Sequence, residues 1–205
     1  LGESTRFKSP VNDVLPKRLG YTGTLAFWVM IIMVPSALIV GIFAGMREGS
    51  FLDRVLSIFS IGTTATPEYV SGILFTVVFA SWLGLLKGVS NVDSVTVENF
   101  TLPVMTMALY GMGYIARMTR ASMAEVMTSQ YIRTARLKGL SFRAVVFKHA
   151  LRNALIAPFT VIMLQFPWLL TGVVIVENLF NYKGFGWTLV EAADNNDINL
   201  LLACS

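Results

Sequence analysis

The chain has 205 residues, of which 55% are hydrophobic and 14% charged, with a mean hydropathy of +0.65 and a formal net charge of +4. Soluble domains carry charge on about a quarter of their residues, so this composition predicts an all-α polytopic membrane protein and excludes an ordinary globular enzyme domain. Cys204 is the single cysteine and His149 the single histidine, which excludes an internal disulfide and a Cys/His zinc site. The GxxxxGK[ST] phosphate loop, HExxH and GxSxG do not occur in the sequence, so no catalytic motif and no bound cofactor or metal is expected for this chain.

Residues 1 to 20 are polar, with Pro10 and Pro16, and are expected to form a short outer segment ahead of a transmembrane domain over residues 21 to 205. Leu1 is not a Met and Ser205 falls inside an apolar run, so the chain is read as part of a longer protein, and no signal peptide is in view. Leu25 to Gly45 runs 21 residues without a charge, about 31 Å of helix and enough to cross ~30 Å of hydrocarbon. Pro35 is expected to kink it. Met46 to Arg54 is a charged turn. From Val55 to Leu86 the apolar run is interrupted by GTTATPE at residues 62 to 68, which predicts a break near Pro67 and a span from about Tyr69 to Leu86. Glu68, beside that break, reads either as a helix cap among lipid headgroups or as a functional intramembrane carboxylate.

Lys87 to Thr101 is expected as an exposed loop and Leu102 to Ala116 as the next span, with Gly111 and Gly113 allowing close approach of a neighbour. That helix should continue past Arg117 and Arg120 into water. Ala154 to Val176 returns across the membrane with Pro158, Thr160, Gln165, Pro167 and Thr171, polar groups that either bond neighbouring helices or face a wet pathway. Gln165, with Trp168 and Pro158 on its side of the helix at offsets of three and seven, is the candidate pathway face, and Thr171 is expected to pack. Glu177 to Asp197 is an outer loop, and Ile198 to Ser205 begins a further span. The count is four complete spans and the start of a fifth.

Between residues 117 and 152 lie eight of the sixteen Lys and Arg, against one acid, Glu125, which marks this loop as cytoplasmic. With that assignment the inner side holds ten Lys and Arg and the outer side six. Met123, Val126, Met127, Gln130, Tyr131, Thr134 and Ala135 recur at helical spacing. Gly139 then supplies a left-handed stop and Ser141 a cap for the next helix. On charge alone the stretch fits a nucleic-acid helix, an interfacial helix snorkelling its arginines to lipid phosphates, or a docking helix. Its anchoring between spans argues against nucleic acid.

The run ARMTRASMAEVMTSQYIRTARLKGLSFRAVVFKHALRNALIAP from Ala116 to Pro158 resembles the cytoplasmic signature loop of ABC importer permeases. Specifically it is similar to the dipeptide, oligopeptide and nickel branch, ARxxRxSMxEVxxxDYxRTARxKGLSxxxVxxxHALRNALxP. Gln130 stands where that branch usually has Asp. Arg133, Thr134, Ala135 and Gly139 occupy the EAAxxxG positions of the wider family. Pro67, Tyr69 and Gly72 fit the branch's SxPxFxxG, and Glu177, Phe180, Gly184, Gly186, Leu189, Ala193 and Asp197 fit its outer motif ExxFxxPGxGxLxxxAxxxxD, with Lys183 in place of Pro.

The resemblance implies a type I ABC importer permease core in a bacterial or archaeal cytoplasmic (inner) membrane. It implies a second homologous permease subunit, two ATPase subunits that bind ATP and Mg, an extracytoplasmic substrate-binding protein, and no nucleic acid. Ser129, Gln130, Tyr131, Ile132, Arg133, Thr134, Ala135, Lys138 and Gly139 are then the ATPase-docking segment. The chain would not itself be an enzyme. Its implied function is import of peptides or a related small solute by alternating access. A nickel, metal-chelate or opine importer permease of the same family, or an ion-coupled secondary carrier, stands as the alternative. A carrier would place ionisable groups near the midplane, and the predicted spans hold none unless Glu68 lies deep.

Overall fold

The computed structural model describes residues 2 to 92 and 96 to 204, except for the side chains of Leu170 and Thr171. It is mostly helical, as the composition predicts. A two-stranded hairpin, β1 (Glu3–Ser4) and β2 (Ser9–Pro10), opens the chain. The α-helices are α1 (Val11–Gly45), α2 (Phe51–Ala65), α3 (Glu68–Phe75), α4 (Val97–Thr128), α5 (Gln130–Leu137), α6 (Phe142–Ala144), α7 (Leu151–Ala154), α8 (Ile156–Leu179), α9 (Phe185–Asp194) and α10 (Ile198–Cys204). Wider π-helical turns follow α3 (Thr76–Trp82) and α6 (Val145–Ala150).

Among the described residues one helix, α1, is by itself long and apolar enough to cross a bilayer. A second candidate is Phe142–Ala154 with Ile156–Leu169, bent by 47° at the break. The expected polar outer segment is a hairpin followed by helix, since α1 starts at Val11. α1 runs through Pro35 as one continuous helix. The break near Pro67 is present: Thr66 (φ −88°, ψ 121°) and Pro67 (φ −57°, ψ 143°) are extended between α2 and α3. α4 continues past Arg117 and Arg120 to Thr128, as the sequence implies. The expected outer loop, by contrast, is largely helical. Glu177 lies in the last turn of α8, and residues 185 to 194 form α9, which buries Gly186, Thr188 and Ala192. The stretch FGWTLVEAAD has no proline, and its buried Thr188 and Ala192, four apart, share one face of the helix.

Contacts divide the chain into two compact units: residues 1–30, 67–108 and 167–205 form one, residues 31–66 and 109–166 the other. In the first, Tyr182 is buried and donates its hydroxyl to the Tyr21 carbonyl at 2.8 Å, while its ring meets Phe100 edge-on at 5.5 Å. Val11, Ala192 and Leu200 form a small core in the same unit. In the second, Met123, Met127, Ile132, Ala135, Val145, Val146, Ala150 and Ala154 pack together. Close helix approach in this unit rests on bare backbone. A Cβ on Gly113 would lie 2.6 Å from the Ser60 carbonyl oxygen, and one on Gly41 2.6 Å from that of Ala116. The first of these approaches follows from the sequence expectation at Gly111 and Gly113.

Candidate functional site

The loop between α4 and α8 is built from local signals. α4 ends at Thr128 because Ser129 turns extended (φ −67°, ψ 153°) and donates its hydroxyl to the Val126 carbonyl at 2.6 Å, a side-chain bond that competes with helix continuation. α5 follows for two turns and stops at Lys138. Gly139 takes φ +80°, and its N–H donates to the Arg136 carbonyl at 2.9 Å. Ser141 then caps α6, accepting from the Ala144 N–H at 3.3 Å. The Gly139 stop and the Ser141 cap stand where the sequence puts them; the break at Ser129 does not follow from it.

That break changes which face is buried. Ile132 and Ala135 point into the core with Met123, Met127 and Val145. Gln130, Tyr131, Arg133, Thr134, Lys138 and Gly139 are exposed, and Ser129 is half-buried. The uninterrupted face running from Met123 through Tyr131 and Thr134 to Ala135 is therefore split. Leu137 is 81% exposed, a large apolar side chain left in the open among Arg133, Arg136 and Lys138. Tyr131 is fixed by the Asn153 side-chain amide, which donates to its hydroxyl at 2.9 Å.

At the base of this loop Arg120 holds Asp53 with Nε to Oδ1 at 3.0 Å and Nη2 to Oδ2 at 2.8 Å, and reaches Glu48 at 3.4 Å. The Arg120 guanidinium holds the Asp53 carboxyl at about 2, well below its ordinary 3.8. Ser50 caps α2 by accepting the Asp53 N–H at 3.1 Å. The pair was missed in the sequence, although Ser50-Phe-Leu-Asp53 carries a capping-box spacing that marks Asp53 as an early helical position.

All seven outer-motif residues, Glu177, Gly184, Gly186 and Asp197 among them, fall in the first unit. Glu177 is wholly buried, accepts from the Thr22 hydroxyl and from the Trp187 N–H at 2.9 Å, and so ties α8 to α1 and α9. A Cβ on Gly184 would overlap Glu177 Oε1 and Thr22 Oγ1, and one on Gly186 would lie 2.7 Å from Val174 Cα. Asp197 accepts from the Ser4 hydroxyl, from the Arg6 N–H at 3.1 Å and from the Leu200 N–H at 3.2 Å. Burial opposes its charge, but those hydrogen bonds outweigh burial and hold its carboxyl below the ordinary value. The sequence motif names the residues; it does not name Thr22 or Ser4, their distant partners.

Of the candidate pathway residues, Gln165 is 7% exposed and Pro158 is buried, both in the second unit, while Trp168 is half-buried in the first. The Thr171 side chain lies outside the described residues. Glu68 opens α3 at 9% exposure, and its Oε2 is buried without a hydrogen-bond partner. That placement does not suit a solvated cap among headgroups.

The model of the family described as "Binding-protein-dependent transport system inner membrane component" matches residues 37–205. The chain is 36% identical over 198 residues to a probable peptide ABC transporter permease protein of Sinorhizobium fredii, covering 94% of this chain and 63% of that protein. It is 34% identical over 203 residues to a glutathione transport system permease protein of Escherichia coli O6:H1, covering 99% and 65%, and 33% identical over 192 residues to a dipeptide transport system permease protein of Bacillus subtilis, covering 94% and 61%. The chain thus spans just under two thirds of the length of these relatives. In fold it is similar to a crystal structure of an amino acid ABC transporter with histidines, with a TM-score of 0.66 over 95% of this chain and 83% of that one at 14% identity. With the signature loop, the outer motif and four fifths of the sequence inside the family match, the chain belongs to the binding-protein-dependent transport system inner membrane components, the permeases of ABC transporters, and its relatives include peptide-transport permeases.

Proposed function

We propose that this chain is part of the permease subunit of an ATP-driven, binding-protein-dependent importer of peptides or related small solutes in an inner membrane. The observation that carries the reading is the α5 segment, Ser129 to Gly139. It is a short helix fixed on one side by Ile132 and Ala135 and exposing Leu137, Tyr131 and several cations on the other, the anatomy of a docking surface with an apolar centre and a polar rim. Its partner in this reading is an ATPase subunit that binds ATP and Mg, while this chain holds no nucleotide. A second permease subunit and a substrate-binding protein complete the assembly.

Residues 117 to 152 then lie in the cytoplasm, and the unbroken helix α4 joins the docking segment to the pathway. Closure of the ATPase pair moves the docked loops, and the shift passes along α4 to a two-state pathway by alternating access. The relatives' names supply the cargo class: the similar proteins are named for peptides, dipeptides and glutathione. The test is reconstitution of the full-length protein with its partner permease, ATPase subunits and binding protein in proteoliposomes. ATP-dependent accumulation of dialanine, abolished by omitting the ATPase subunits, is expected. Accumulation that persists without them overturns the ATP-driven reading, and no accumulation of any peptide in a panel overturns the cargo class.

A further inference from the structure

The end of α1 and the segment after Ser141 enclose a cleft of about 560 Å³, within the ~300–1,000 Å³ range of small-molecule sites. α1 contributes Ile39, Ile42 and Phe43 to its lining, and the segment after Ser141 contributes Val146, Phe147 and Leu151. All of them belong to one compact unit. Two arginines, Arg47 and Arg143, line the same cleft. The Arg47 guanidinium carbon lies 5.3 Å from the centre of the Phe142 ring, so a cation and an aromatic face are held together there. A second cleft of about 320 Å³ shares Phe43, Met46, Arg47 and Phe142 with the first.

The charge in this place is unbalanced. No acidic residue lines either cleft, and none of the four ion pairs among the described residues includes Arg47 or Arg143. The acids closest to Arg47 along the chain, Glu48 and Asp53, are engaged by Arg120 at 3.4 and 2.8 Å. Depth adds the second condition. Arg47 stands just past the end of α1, the helix long and apolar enough to cross a bilayer, and Ile39, two turns earlier, lies about 12 Å further along it at ~1.5 Å per residue. The cleft therefore runs from the water boundary of the span into the hydrocarbon.

A ligand that matches it carries a negative group at one end and hydrocarbon along its length. Inorganic phosphate leaves the apolar length empty, and a lipid without net charge leaves the two cations unanswered. An anionic phospholipid satisfies both conditions, and basic pockets between membrane helices on the cytoplasmic side hold such headgroups. We propose that this cleft is a binding site for one anionic phospholipid, its phosphate held by Arg47 and Arg143 and an acyl chain laid against Ile39, Phe43 and Phe147. The inference goes beyond the import reading and needs only that α1 spans a bilayer.

The experiment places the assembled, full-length transporter in nanodiscs of phosphatidylcholine containing a trace of phosphatidylglycerol with a photoreactive diazirine midway along one acyl chain. Cross-links are mapped by peptide mass spectrometry. They are expected in the peptides that carry Ile39 to Arg47 and Phe142 to Leu151. Unlabelled phosphatidylglycerol should compete them away, while added phosphatidylcholine and inorganic phosphate should not. Replacing both arginines, Arg47→Gln with Arg143→Gln, should lower the labelling about tenfold, and Arg47→Lys with Arg143→Lys, which keeps the charge, should retain most of it. Absence of cross-links in the cleft, as when a partner subunit or another part of the full-length chain covers it, overturns the proposal. So does equal competition by phosphatidylcholine, competition by inorganic phosphate, or labelling indifferent to the glutamine pair. ATP-dependent uptake of dialanine is scored separately: cross-linking without uptake leaves the lipid site standing and removes the peptide cargo, and uptake without cross-linking does the reverse.

Discussion

Arg120 grips Asp53 with two hydrogen bonds of 3.0 and 2.8 Å, joining the first turn of α2 to the second half of α4. Asp53 is 3% exposed, and its carboxyl is held at about 2 against an ordinary 3.8. A depressed carboxylate contributes stability that is fully present above its ordinary value and lost as the pH falls through the folded value. Given the partial exposure of Arg120, the shift corresponds to about 1 to 2 kcal/mol. The purified protein in detergent should therefore lose thermal stability between about pH 4 and pH 2, and Asp53→Asn should flatten that dependence while lowering stability at pH 7. An unchanged acid profile in Asp53→Asn would assign the effect to another carboxylate.

Gly139 stands in open space, with no atom within 4 Å of where a Cβ would lie, but at φ +80°. Substitution there acts through backbone strain and not through collision, at a cost of roughly 1 to 2 kcal/mol for an ordinary L-residue. Peptide uptake per ATP hydrolysed should fall in the order Gly139→Asn, Gly139→Ala, Gly139→Val, because Asn tolerates the left-handed region best. Membrane insertion should be unaffected. Equal coupling in all three, at matched expression, would show that the α5 turn does not transmit docking.

Local chemistry was legible in the sequence, and long-range chemistry was not. Gly139, Ser141 and the Pro67 break act on their immediate neighbours, so residue type and spacing reveal them. The uninterrupted course of α4 past Arg117 follows from helix period in the same way. α9 was hidden because its sequence lies between two apolar runs and carries outer-motif residues that suggest a loop. Glu177 and Asp197 were visible as motif positions, but their partners Thr22 and Ser4 lie 155 and 193 residues away, and no local pattern encodes such a pair. The face of α5 was misassigned for a smaller reason: one serine, Ser129, bonds back to Val126 and resets the helical register.

Orientation is open to a direct chemical test. Asn195, in the turn after α9, and Ser141, in the turn after α5, are both exposed. With Cys204 changed to Ser, a cysteine at Asn195 should react with a membrane-impermeant thiol reagent added to intact cells, and one at Ser141 should react only after permeabilisation. Ser94, which the sequence also places outside, lies beyond the described residues. The opposite pattern would invert the topology and remove α5 from the ATPase side.

Gln165 is 7% exposed within the protein, so its amide does not face lipid, where an unsatisfied polar group would cost roughly 2 to 7 kcal/mol. Two residues on, Pro167 offers no N–H to the Met163 carbonyl, the local condition under which a helix wall presents backbone oxygen to water or a solute. A buried amide beside such a position lines the pathway in this reading, and residue 171, about 120° away around the helix at ~100° per residue, falls on a different stripe. ATP-dependent dialanine uptake should fall about tenfold in Gln165→Leu, the effect of losing about 1.4 kcal/mol of interaction with the moving solute, and stay within about twofold in Thr171→Val. Gln165→Asn, which keeps the amide on a shorter stem, should retain part of the rate. A loss confined to Thr171→Val at matched expression would move the pathway to the other face of α8.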